Sequence, residues 1–180
     1  AGCSAESLVK EFGSPLYVID QDDFYLRTKA WKSALDNEFE SNNMYYAAKS
    51  FISIEVAKWL KELNVGLDVC SGGELLVALA AKFPAANIEF HGNNKSESEI
   101  KLAIDSGVGV IVIDSFDEIK RVSSIAKSSK KVQKVYLRLT PGVEVHTHEF
   151  ISTAHEDVKF GFSIASGSAN DAIDKCMNES

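Results

Sequence analysis

Hydrophobic and polar positions follow two alternating rhythms along this chain. Short segments with strand-like spacing fall at Met44–Lys49, Gly66–Cys70, Ile88–His91, Val108–Asp114 and Val135–Thr140. Between them the apolar spacing lengthens to three or four residues. Ile52, Val56, Trp59, Leu60 and Leu63 share one helical face, and further helices are predicted over Glu74 to Phe83, Glu97 to Asp105 and Asp117 to Ala126. Ahead of the first strand, Pro15 to Asp20 predicts a short extended stretch. Phe24, Thr28, Trp31, Leu35 and Phe39 then mark a helix with a single apolar stripe.

Three helix starts carry the same signal. Ser71-x-x-Glu74, Ser96-x-x-Glu99 and Ser115-x-x-Glu118 have the capping-box pattern, in which the Ser accepts from the third helical N–H and the Glu reaches back to the N–H of the cap. Asp105-Ser106-Gly107 and Lys127-Ser128-Ser129-Lys130 are the matching exits. Strand, helix and strand joined by short loops imply parallel strands with right-handed crossovers. An open doubly wound sheet and a (β/α)8 barrel both satisfy that pattern. Neither a G-x-G-x-x-G after the first strand nor a G-x-x-x-x-G-K-[ST] is present, which weakens the nucleotide-binding versions. The predicted strand ends carry Lys49, Asp68, His91, Asp114 and Arg138, spaced by 19, 23, 23 and 24 residues. Barrel active sites are assembled at that end of the strands, so a TIM-type barrel is favoured. Because the pattern supplies about five to six βα units and ends in a helical stretch, the barrel is expected to be incomplete in this chain.

Bulk properties narrow the classes. A chain of 180 residues holds one substantial domain. A net charge of −7 argues against nucleic acid or an anionic membrane as partner, and no apolar run approaches the length of a membrane span. Cys3, Cys70 and Cys176 are odd in number and unpatterned, so a reducing cytoplasm is the expected setting. Asn-x-Ser matches at Asn94 and Asn178 therefore carry no weight as glycosylation sites.

Several residues invite chemistry, each beside a plainer explanation. Lys49 closes an apolar strand, sharing a face with Ala47 and Tyr45; burial there would favour a neutral, nucleophilic amine, whereas a rim position would leave it in water. Asp68 is not needed by the Ser71 cap and is free to bond a lysine or histidine across the barrel mouth. His91 is by itself more often structural than catalytic. Arg138, in line with Tyr136 and Thr140, needs a partner, which is either a ligand or an acidic side chain. His146, His148 and Glu149, with His155, stand in a long polar loop that suits an active-site loop better than a zinc site, so no metal is expected.

The segments Gly13-Ser14-Pro15-Leu16-Tyr17-Val18, Tyr46-Ala47-Ala48-Lys49-Ser50, Leu67-Asp68-Val69-Cys70-Ser71-Gly72-Gly73-Glu74-Leu75 and His91-Gly92-Asn93-Asn94-Lys95 resemble the pyridoxal-phosphate (PLP) decarboxylases of the alanine-racemase-like fold. Arg138-Leu139-Thr140-Pro141-Gly142-Val143, running into His146-Thr147-His148-Glu149-Phe150-Ile151-Ser152-Thr153 and closed by Lys159-Phe160-Gly161-Phe162-Ser163, is similar to the diaminopimelate decarboxylase family in particular. The resemblance covers essentially the whole chain. It implies that Lys49 bonds covalently to PLP, that Asp68, His91 and Arg138 surround the cofactor, and that His146, His148, Glu149 and Ser152 belong to a substrate lid near a homodimer interface. It also implies decarboxylation of meso-2,6-diaminoheptanedioate to L-lysine, the last step of lysine biosynthesis. Residues 1–20 would lead in from a mostly absent β domain, and 21–180 would form the first part of the PLP barrel. The family's ring-stacking histidine, phosphate cradle, pyridine-facing glutamate and partner cysteine would follow Ser180, so a polypeptide ending there is expected to be inactive. Ornithine or arginine decarboxylation, a non-catalytic PLP-binding or regulatory barrel, and a PLP-free Schiff-base aldolase are the rival expectations.

Overall fold

The computed structural model describes residues 2–142 and 160–179. Strands β1 (Tyr45–Ala47), β2 (Gly66–Val69), β3 (Ile88–Phe90), β4 (Val110–Ile113) and β5 (Val135–Leu137) form one parallel sheet. Their spatial order is their chain order, β1-β2-β3-β4-β5. A doubly wound sheet reverses direction at a switch point, whereas a barrel adds each strand beside the last. The observed order therefore selects the barrel-type arrangement, represented here by part of its circumference.

Helices α3 (Ile54–Glu62), α4 (Gly72–Ala80), α5 (Glu97–Ser106) and α6 (Phe116–Ser128) connect successive strands. Alternation along the strands explains which face meets them. Leu67 and Val69 of β2, with Ile88 and Phe90 of β3, are fully buried against Leu60, Leu75, Ile100 and Ile104 of the helices. Full burial of side chains of this size contributes about 1.5–3 kcal/mol each. The intervening Asp68 and Glu89 fall on the opposite face, where the site is built.

Ahead of this unit come α1 (Ala5–Phe12) and α2 (Gln21–Glu38). The predicted stripe of α2 is only partly used: Phe24 packs on Tyr46 and Trp59, with ring centroids 5.7 Å apart in each pair, while Trp31 and Phe39 are exposed. Beyond β5 the chain changes partners. Arg138 N–H donates to Ile113 O, continuing the β4 ladder, while Arg138 O accepts from Phe162 N–H. Strand β6 (Leu139–Thr140) then pairs in parallel with β7 (Phe162–Ser163), and α7 (Ser168–Asn178) packs Ala169 and Ala172 beside Phe162.

Three expectations need correction. Lys49 is not on the first strand, because β1 stops at Ala47 and Ala48–Ser50 form a 3-10 turn. The predicted strand over Val135–Thr140 is broken at Arg138, where the ladder changes hands. Only Ser96 and Glu99 close a capping box as drawn. Glu74 and Glu118 reach one residue further, to Cys70 N–H (2.6 Å) and Asp114 N–H (2.9 Å), because the strand is ending there and those amides are the ones left to satisfy. Helix α1 stands inside the lead-in segment and has no buried residue by which periodicity could have marked it.

Candidate functional site

At the C-terminal ends of the strands lies a cleft of about 700 Å³, lined by Lys49, Asp68, His91 and Arg138 together with Cys70 and Tyr136. Four of the five residues predicted at the strand ends thus line one cleft, and the fifth, Asp114, stands behind it as the partner of Arg138.

Each arrives by a different local device. Lys49 rides on the 3-10 turn, whose inner residue Ala48 is buried while Lys49 itself is exposed at the rim. The single Ser50 hydroxyl proton is shared between Ala47 O (2.8 Å) and the Tyr46 hydroxyl oxygen (3.0 Å), and the Tyr46 hydroxyl donates to Phe51 O (2.8 Å), so the turn is pinned on both sides. Of the two settings the sequence leaves open for this amine, burial and the rim, the described residues give the rim, since the turn lifts it clear of the sheet.

Asp68 and His91 form a pair, with Oδ1 and Nδ1 2.5 Å apart. A carboxylate on Nδ1 orients the ring and leaves Nε2 as its remaining polar atom. His91 extends β3 by one ladder bond, its N–H donating to Val69 O at 2.8 Å. The next residue must turn sharply. Gly92 has φ +115°, and a Cβ there would stand 3.1 Å from Cys70 O.

Arg138 has the acidic partner that its charge requires. Its Nη1 lies 3.3 Å from Asp114 Oδ2, and its guanidinium stacks 4.2 Å from the Phe160 ring centroid. Asp114, buried at the end of β4, also accepts from Gly161 N–H through Oδ1. Burial pushes the Cys70 thiol upward, so this cleft-lining sulfur is held protonated. Burial likewise pushes the Glu89 carboxyl and the Tyr45 hydroxyl upward.

Two charged residues of this region were not singled out from the sequence. Lys95 and Glu118 are both buried and form an ion pair of 3.0 Å. A lysine in a Gly-Asn-Asn loop gives no sequence cue to burial, and the cap pattern already accounted for Glu118. His146, His148, Glu149 and Ser152 lie outside the described residues. Among the described residues, no three His, Cys, Asp or Glu side chains cluster as a metal site would need. No described helix is long and apolar enough to cross a membrane.

An amine at the rim, a carboxylate–imidazole pair and a guanidinium on the opposite wall suit an anionic ligand bearing a carbonyl. The comparisons agree with that chemistry. Residues 21–180 match the family model described as "Pyridoxal-dependent decarboxylase, pyridoxal binding domain". The chain is 53% identical over 173 residues to the diaminopimelate decarboxylase of Mycobacterium tuberculosis H37Rv, covering 96% of this chain and 38% of that protein. It is 42% identical over 176 residues to the Bacillus subtilis enzyme of the same name, covering 98% and 40%. Among solved structures, the diaminopimelate decarboxylase of M. jannaschii in complex with L-lysine superposes with a TM-score of 0.85 at 31% identity, over 99% of this chain and 42% of that one. The chain thus spans about two-fifths of the length of these relatives.

Proposed function

We propose, because this chain belongs to the pyridoxal-dependent decarboxylases and matches their pyridoxal-binding domain, that it is the cofactor-binding part of a diaminopimelate decarboxylase. The reaction is removal of one carboxylate of meso-2,6-diaminoheptanedioate to give L-lysine and carbon dioxide, closing lysine biosynthesis. The protein acts as a cytoplasmic homodimer on this reading. A family match that begins at residue 21 supports a lead-in over 1–20 and a barrel portion over 21–180.

The observation that carries the proposal is the convergence of Lys49, Asp68, His91 and Arg138 on one cleft. The donor set fits PLP. Lys49 offers a primary amine for the aldehyde, the cleft is wide enough for a planar ring, and Gly92 keeps the floor free of a Cβ. When bound, PLP supplies the electron sink for the carbanion left by the departing carboxylate. This chain's own residues do the placing. Lys49 holds the cofactor from a pinned turn. The Asp68–His91 pair presents a fixed imidazole along the cleft, and Arg138, steadied by Asp114 and Phe160, attracts carboxylate or phosphate oxygens. Identities of 42–53% to diaminopimelate decarboxylases favour this substrate over ornithine or arginine.

The test uses the full-length protein. It is expected to be yellow, to lose its visible band on borohydride treatment, and to release carbon dioxide from meso-diaminopimelate but not from ornithine or arginine. Lys49→Ala should abolish the band and the activity. A band that survives that substitution places the covalent bond elsewhere; a band without carbon dioxide release from any of the three makes the protein a carrier.

A further inference from the structure

Behind the cleft one ammonium is enclosed by protein. Lys95 is 2% exposed, and its side chain and that of Glu118 are each 1% exposed. Its Nζ donates to Gly92 O at 2.6 Å and to Val112 O at 2.8 Å, and stands 3.0 Å from Glu118 Oε1 as an ion pair. Burial pushes this amine downward from its ordinary range, and the Glu118 carboxylate opposes that push.

Such a pair is a poor source of stability. Taking both charges out of water costs several kcal/mol per ion, and replacing a buried pair by apolar residues is often neutral or stabilising. What distinguishes this pair is where its bonds lead. Gly92 follows His91, so the ammonium holds the turn that carries the imidazole. Val112 lies two residues before Asp114 in the chain. The second Glu118 oxygen, Oε2, accepts from Asp114 N–H at 2.9 Å, and Asp114 in turn engages Arg138. Arg121 Nη1 donates to Lys95 O at 3.0 Å and fixes the lysine's own backbone. One buried cation therefore ties the end of β3, the end of β4 and the start of α6 into a single block, and neither member of the ion pair lines the cleft.

We propose that Lys95 is a positioning residue, whose enclosed ammonium sets the placement of His91 relative to Asp114 and thereby aligns the Asp68–His91 pair with Arg138. The inference rests on the reading of the cleft as the cofactor and substrate site.

The test compares wild type, Lys95→Met and the double variant Lys95→Met/Glu118→Gln, whose amide oxygen still accepts from Asp114 N–H, in the full-length protein. The single variant leaves a buried carboxylate unpaired and is expected to lose stability. The double variant removes both charges and is expected to melt close to the wild type. With PLP and meso-diaminopimelate, the double variant should lose about a hundredfold in kcat, as sub-ångström to ångström misplacement does, with KM changed less than about threefold. In the cofactor-free protein, the NMR resonances of the His91 ring should move. A double variant with wild-type kcat, or with His91 resonances unmoved, overturns the proposal. So does a double variant that cannot fold, since the pair is then a stability element. If wild type neither binds PLP nor decarboxylates, the functional reading fails, while the His91 resonances still decide the role of Lys95.

Discussion

Glu99 shows how a single residue joins two elements. Its Oε2 accepts from Ser96 N–H (2.9 Å) and Ser96 Oγ (2.7 Å), while Oε1 crosses to Gly72 N–H (2.7 Å) at the start of α4. The Ser96 amide, and after it the Gly72 amide, hold this carboxyl below its ordinary 4.5. A depressed folded value means stabilisation that is present above the ordinary value and lost as pH falls through the folded one. Glu99→Gln is therefore expected to cost about 1–2 kcal/mol at neutral pH. The gap between wild type and variant should close as the pH drops below 4.5, measured by urea unfolding at a series of pH values. Legibility at this scale depended on whether a residue's environment leaves a local trace. That Asp68, His91 and Arg138 meet at one end of the sheet was legible, because each is a polar group closing an apolar strand. Lys49 was legible as a candidate but not in its setting, since the pattern through Tyr46, Ala47 and Ala48 does not record where the ladder stops. The burial of Lys95 left no trace, because two of its three partners, Val112 and Glu118, stand 17 and 23 positions away.

At the scale of elements, helix ends repeat one device in different chemistry. Gly107 closes α5 in the left-handed region at φ +77°, whereas Asn64, Lys82 and Lys130 take φ +53°, +55° and +52° just beyond α3, α4 and α6. A lysine carries a Cβ penalty there that glycine avoids. Lys130→Gly should raise stability by about 0.5–1 kcal/mol, part of the gain being offset by the freer unfolded chain; thermal or urea unfolding reads it. Gly109 makes the opposite demand. A Cβ at that position would overlap Ala86 O at the entry to β4, so Gly109→Ala should cost about 1–3 kcal/mol, visible as a lower urea midpoint. The strand–helix alternation was readable because each helix buries a face with a regular period. The handover at Arg138 was not, because a change of ladder partner leaves the spacing of apolar residues untouched. Helix α7 went unread beyond a helical drift, since the residues it buries are two alanines, Ala169 and Ala172.

At the scale of the whole molecule, part of the exposed apolar surface lines a groove beside an open sheet edge. A groove of about 610 Å³ runs between α2 and β1, with Val18, Ile19, Trp31 and Leu35 along it, and β1 has no neighbour on its outer side among the described residues. Unpaired edges and contiguous apolar surface recruit other chains. The 180-residue polypeptide expressed by itself should therefore bind a hydrophobic dye and sediment faster as its concentration rises; a dye-silent monomer at all concentrations would contradict this. The barrel class was legible from the near-constant unit length. The side on which the sheet lies open was not, since neighbour relations are a property of space.

That the strands stand side by side in the order of their numbering has a consequence for synthesis. A ribosome delivers residues from the first to the last, at roughly 5–20 per second. Within the five-stranded sheet, every strand after β1 emerges next to a partner already made. Loop closures stay short, which favours quick assembly. Growth of the sheet can keep pace with translation, one βα unit at a time.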